Sequence, residues 1–128
     1  MEMGLEPCAY SVTFNVTGNK LNAILNQRSQ DILAANNWNG SSVQCSGCIC
    51  LAQVTGLVPG ELVHVIADAH IYDRHVPIIK ELIERPQYDA PTFSLNPEIK
   101  DFYDFTTDDL IIGEYKKNPQ ITNIPIAI

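Results

Sequence analysis

From Tyr10 to Val16 apolar and polar side chains alternate, the period of a strand with one buried face. Gly18-Asn19 follows, two residues that tolerate the positive φ of a tight hairpin turn. Closing that turn on Thr17 and Lys20 puts Val16 opposite Leu21, Phe14 opposite Ala23 and Val12 opposite Leu25. Apolar meets apolar three times, and a slip of one residue would undo all three, so the pattern specifies the register. Carried outward, it sets Tyr10 opposite Gln27 and Cys8 opposite Ser29, with Arg28 alongside. Strict alternation turns Arg28 to the other face, and a β-bulge near Gln27 would bring it round to the thiol.

After Asp31 the pattern turns helical through Ile32-Leu33-Ala34-Ala35. Residues 40–50, rich in Gly, Ser and Cys, match neither a helical nor a strand period. Apolar character returns at Leu51-Ala52-Gln53-Val54, before a loop at residues 56–60. Glu61 to Tyr72 reads as the strongest strand. Its odd positions (Val63, Val65, Ala67, Ala69, Ile71) are apolar and expected to face the core. Its even positions end in Asp68, His70 and Tyr72, polar side chains about 6–7 Å apart on one face. Asp73 then reads as the N-cap of a helix carrying Val76, Ile79, Leu82 and Ile83, stopped by Pro86. Short strands are expected at Pro91–Leu95, Ile99–Phe105, Leu110–Tyr115 and Ile121–Ile128. Helices and strands mix without regular βαβ alternation, so the expected class is α+β, a mixed or antiparallel sheet with flanking helices.

Composition adds boundaries. The 128 residues are 45% hydrophobic and 18% charged, enough apolar material for one core. No apolar run reaches the roughly 18 residues that span a bilayer, and residues 1–7 do not resemble a signal peptide. A cytoplasmic protein without a membrane partner is expected. The net charge is −7, which disfavours general binding to nucleic-acid backbones. A single arginine can still hold a small phosphate, and Arg28 is the only arginine before Arg74. Cys8, Cys45, Cys48 and Cys50 read as reduced thiols. Cys45-x-x-Cys48-x-Cys50 has metal-like spacing and would need a fourth ligand, from Cys8 or one of His64, His70 and His75; we expect no metal there.

Three groups carry chemistry in this pattern, and each has a plainer alternative. Cys8 is either an inert packed thiol or a nucleophile whose thiolate Arg28 stabilises. Gln27-Arg28-Ser29-x-Asp31 is either a polar strand end capping a helix or an anion site. Asp68-x-His70-x-Tyr72 is either a solvated sheet face or a polar binding surface, while His64 and His75 read as surface or packing residues. The acids at 89, 98, 101, 104, 108 and 109 read as a solvated face.

Five motifs in order, Pro7-Cys8, Gln27-Arg28-Ser29-x-Asp31, Asn36-Asn37-Trp38-Asn39, Asp68-Ala69-His70-Ile71-Tyr72 and Pro125-Ile126-Ala127-Ile128, closely resemble the folate-dependent thymidylate synthases. The resemblance runs nearly the whole chain and corresponds to the C-terminal portion of that fold. It implies that residues 1–128 are the C-terminal part of the domain, with the N-terminal half absent. It also implies reductive methylation of dUMP to dTMP with 5,10-methylenetetrahydrofolate as cosubstrate. Cys8 would attack C6 of uracil, with Arg28, Ser29, Asp31, Asn39, His70 and Tyr72 on the dUMP side. Arg28 and Ser29 would meet the phosphate, Asn39 the base edge, and His70 and Tyr72 the ribose hydroxyl. Asp31 and the C-terminal Ile128 would meet the folate. The related deoxycytidylate hydroxymethylases resemble this pattern with Asp in place of Asn39, so Asn39 favours uracil. The family implies a homodimer with its partner surface built around a sheet. The alternative is a non-catalytic fragment that binds nucleotide or pairs with a longer homologue. Residues 40–50 depart from the family's apolar helix by one residue too many, as a local shift of reading frame would produce, and Ala9 stands where many members have His.

Overall fold

The computed structural model describes residues 7–35 and 38–126, so Asn36, Asn37 and Ile128 lie outside the described residues. Strands β1 (Ala9–Thr17) and β2 (Lys20–Gln27) form the hairpin, turned at Gly18 with φ +63°. The expected pairs Val16–Leu21, Phe14–Ala23 and Val12–Leu25 are all present. The register shifts by one between Ala9 and Ser11, so the bulge sits on β1 at Tyr10. Ala9, not Tyr10, faces Gln27, and Cys8 accepts a hydrogen bond from the Arg28 backbone N–H at 2.8 Å rather than lying opposite Ser29. Straight alternation cannot foresee which strand takes the extra residue.

β4 (Val58–Ile66) joins β2 in parallel, giving the order β1-β2-β4. A parallel neighbour requires a crossover, and residues 30–55 supply a helical one. It begins with the short strand β3 (Gln30–Asp31) and the single turn α1 (Ile32–Ala35). It continues through α2 (Trp38–Ser42), a π-helical run Val43–Cys50 and α3 (Leu51–Thr55). Gly56, at φ +70°, ends the helix, and Leu57 N–H closes onto the Ala52 carbonyl at 2.9 Å.

Residues 40–50, which fit no element by pattern, are therefore helical throughout. Packing overrides their poor propensity: Cys48, Cys50 and Ala52 are buried with Leu21, Ala23 and Leu25 of β2. A side chain at Gly47 would begin 3.0 Å from the Phe14 ring, so its absence permits the close approach.

One core expectation is reversed. Val63 and Val65 on β4 are 50% and 46% exposed, whereas Leu62, His64 and Ile66 are half-buried beneath the helix. Pairing with β2 decides this, because Leu62, His64 and Ile66 stand beside Ala23, Leu25 and Gln27. The long strand also breaks after Ile66, and Ala69–His70 forms β5, parallel to β3 in a separate two-stranded sheet. Ala69 and Ile71 are likewise exposed rather than core-facing.

Asp73 lies inside a 3-10 turn (Asp73–His75) that leads into α4 (Val76–Glu84), rather than capping the helix with its side chain. Arg85 is extended, as a residue preceding proline prefers. β6 (Phe93–Leu95) and β7 (Leu110–Ile112) pair antiparallel, matching two of the short strands expected. The segment expected as a strand at 99–105 instead forms a 3-10 turn, Phe102–Asp104, capped by the Asp101 side chain. Residues 121–126 adopt no regular element.

Candidate functional site

The bulge brings two candidates together. Cys8, half-buried, is joined to Arg28 through the 2.8 Å backbone hydrogen bond. The Arg28 side chain lies back along the same edge, its Nε donating to the Pro7 carbonyl at 3.4 Å. The guanidinium thus sits against the peptide that carries the thiol.

Beneath them lies Gln27, which stands in the same motif but to which the pattern assigns no role of its own. Gln27 is only 2% exposed. It continues the buried series Leu21, Ala23, Leu25, and a polar side chain in that apolar phase is the signal that could have revealed it. Gln27 Nε2 donates to the Ser29 carbonyl at 2.7 Å. A carbonyl only accepts, so the Gln27 amide has one permissible orientation, with Oε1 as the acceptor. Oε1 receives Asn39 Nδ2 at 3.1 Å and His64 Nε2 at 3.0 Å. Asn39 is thereby oriented too: its nitrogen points inward, leaving its carbonyl oxygen and second N–H for other partners. His64, expected to be a surface or packing residue, belongs to this network and donates through Nε2.

A second cluster follows directly along the chain. Asp31 pairs with His70 where β3 meets β5, and Gln30 N–H bonds the Asp68 carbonyl at 2.9 Å. Asp31 Oδ1 accepts from Leu33 and Ala34 N–H at 3.0 and 3.3 Å, the helix-capping alternative for this residue. Its Oδ2 lies 3.8 Å from Nδ1 of the buried His75, beyond hydrogen-bond reach. The cap therefore leaves one carboxylate oxygen available. His70 and Tyr72 meet edge-to-face with centroids 5.2 Å apart, and Tyr72 meets His75 in the same way at 5.7 Å. Asp68 Oδ2 lies 3.2 Å from His70 Nδ1, but outside hydrogen-bond geometry. The chain's tail returns here: His75 Nε2 donates to the Pro125 carbonyl and Arg74 to the Ile126 carbonyl, both at 2.8 Å. Nothing in the sequence pattern marked Arg74 or His75 for this contact.

Among the described residues no three His, Cys, Asp or Glu side chains converge as a metal site, and Cys48 is fully buried. Among them, too, no helix is long and apolar enough to cross a membrane.

The family model for thymidylate synthase matches residues 1–128. The chain belongs to the thymidylate synthase family. Thymidylate synthase 1 of Bacillus subtilis strain 168 is 39% identical over 119 residues, covering 93% of this chain and 42% of the relative. The Clostridium beijerinckii thymidylate synthase is 43% identical over 119 residues, covering 91% of this chain and 45% of that protein. The fold agrees, since thermostable thymidylate synthase A from Bacillus subtilis superimposes with a TM-score of 0.86 at 37% identity. That match covers 96% of this chain and 44% of the solved one. The chain spans about half the length of the thymidylate synthases it matches, between 42% and 52% of each.

Proposed function

We propose that this chain carries the nucleotide-binding face of a thymidylate synthase site, with Cys8 as the nucleophile toward C6 of dUMP. The observation that carries the proposal is the oriented amide of Asn39. With Nδ2 held inward by Gln27, the remaining carbonyl and N–H present an acceptor and a donor side by side. That pair complements N3–H and O4 of uracil and mismatches the amino group and bare N3 of cytosine.

The other residues support the same ligand. Arg28 and Ser29 follow Gln27 at the strand end, where a guanidinium and a hydroxyl suit the dUMP phosphate. Addition to the ring would use the thiolate form of Cys8. His70 and Tyr72, in contact with each other, supply hydrogen-bonding groups for the ribose hydroxyl. Asp31 keeps Oδ2 for the folate after its cap is made, so the carboxylate fits that role as well. The folate would supply the one-carbon unit and the reducing equivalents. Ile128 is proposed for the folate side on the family resemblance alone.

A second copy of the chain is the proposed partner. Ile24, Val63 and Val65 expose an apolar stripe on the side of the sheet away from the helix, and Ile24 and Val63 are direct neighbours. A cytoplasmic location accompanies this reading.

The test has two arms. Calorimetric titration is expected to show dUMP binding to the chain, weakened in Arg28→Ala and weaker for dCMP; no binding, or indifference to Arg28, would overturn the site. Tritium release from 5-tritiated dUMP with the folate measures turnover. We expect none from the chain alone, because among the described residues Arg28 is the one guanidinium brought to Cys8. Release that disappears in Cys8→Ser would instead establish a complete enzyme and remove the alternative of a non-catalytic fragment.

A further inference from the structure

β1 stands at the edge of the three-stranded sheet, and among the described residues β2 is its one neighbour. About half of the backbone N–H and C=O groups along such an antiparallel edge strand point away from the sheet. Folded proteins blunt an edge of this kind with charged side chains, with proline, or by keeping the strand short. β1 uses none of these. It runs nine residues, Ala9–Thr17, without a charge or a proline, and its bulge sits at the very start, at Tyr10.

The strand also leaves an apolar face open. Val12, Phe14 and Val16 share a face with Leu25, Ala23 and Leu21, yet they are 37%, 40% and 53% exposed while those three partners are buried. The crossover explains the difference. It connects β2 to β4 and lies over those strands, meeting β1 at its rim where Gly47 approaches the Phe14 ring. Ile24, Val63 and Val65 lie on the opposite side of the sheet, so the second copy proposed there does not cover this strip.

We infer that the free edge and apolar face of β1 are a docking surface for a complementary polypeptide, the portion of the fold that the matched thymidylate synthases carry and these 128 residues do not. Chain lengths argue for that occupant. The solved relative superimposes over 96% of this chain but is itself covered to only 44%, so more than half of its polypeptide has no counterpart here. A second copy would pair one β1 with another and still leave that portion absent. The strand defines the chemistry of the occupant: an extended segment whose backbone completes the ladder, with apolar side chains at alternate positions to cover Val12, Phe14 and Val16. Docking of this kind does not depend on the roles proposed for Cys8 or Asn39.

In the test, the part of Bacillus subtilis thymidylate synthase 1 outside its matched segment is co-expressed with the full chain, which alone bears an affinity tag. The two are expected to co-purify one to one, with exchange of the outward-facing β1 amides slowed about tenfold or more relative to the chain alone. Val16→Lys, which puts a charge into the open strip, should separate them while keeping the circular dichroism of the folded chain. Val63→Lys, on the opposite face, should leave them joined. Absence of the partner from the purified chain overturns the inference, as does capture undiminished in Val16→Lys or lost equally in Val63→Lys. It is also overturned if, in the chain alone, the outward-facing β1 amides exchange as slowly as those of β2, since a second copy would then already occupy the edge.

Discussion

Replacing Gln27 with Met keeps the length and much of the volume of the side chain while deleting its amide. Three hydrogen bonds are lost, to the Ser29 carbonyl at 2.7 Å, Asn39 at 3.1 Å and His64 at 3.0 Å. At about 1 kcal/mol net for each bond, the loss is about 3 kcal/mol, less what the half-buried Asn39 and His64 recover from water. With a urea m-value of about 2 kcal/mol per molar, the unfolding midpoint falls by about 1 M. The control is Ser11→Ala, which removes an exposed hydrogen bond to Asn26 on the opposite face of the sheet and should change stability by no more than about 0.5 kcal/mol. Nucleotide binding supplies the independent readout. Once Gln27 no longer selects the Asn39 nitrogen, the Asn39 amide turns freely, and the preference for dUMP over dCMP narrows even under conditions where the variant is fully folded. A midpoint shift below about 0.3 M at unchanged m, or an unaltered dUMP/dCMP ratio, would refute the reasoning that one backbone carbonyl orients the chain of amides.

Asn39→Asp places a carboxylate oxygen against Gln27 Oε1, where an N–H now stands, and presents acceptors to the base. Calorimetry should show preference moving from dUMP toward dCMP, together with lower stability. Val63→Lys puts a charge into the exposed apolar stripe, so light scattering should find a dimer for the wild type and a monomer for the variant; a wild-type monomer would remove the proposed second copy. Asp109 accepts from the Asn96 side chain at 2.8 Å and from the Thr106 backbone and hydroxyl at 2.9 and 2.8 Å, which together hold its carboxyl below the usual range. A folded pKa depressed in this way stabilises the protein above the ordinary value near ~3.9 and loses that contribution as pH falls through the folded pKa. Urea titrations should show the stability gap between wild type and Asp109→Asn shrinking below about pH 4, and a gap independent of pH would contradict the assignment.

The hairpin and its register were legible because alternation over seven residues, plus a Gly-Asn turn, leaves only one pairing that sets Val12, Phe14 and Val16 opposite apolar partners. The bulge was foreseeable in place but not in strand, since either strand can absorb the extra residue. The helix at residues 40–50 was not legible. Its small side chains suit the close approach of Phe14 and the burial of Cys48 and Cys50, and neither condition exists until the sheet is formed. The candidate residues divide in the same way. Cys8, Arg28, Asn39, His70 and Tyr72 stand in recognisable motifs, whereas the roles of His64 and His75 depend on neighbours 37 and 50 residues away.

By itself the sequence determined the local periods, the order of the motifs and the family they belong to, because each resides in residues close together along the chain. Only the tertiary structure decided which face of β4 is buried. Alternation says that a strand has two sides, but an apolar odd face and a half-apolar even face are both compatible with a core. The parallel pairing with β2, and the helix lying over Leu21, Ala23 and Leu25, turned His64 inward to Gln27 and left Val63 and Val65 exposed. The chemistry of the candidate site follows from that choice, since only an inward His64 and a buried Gln27 complete the network that orients Asn39.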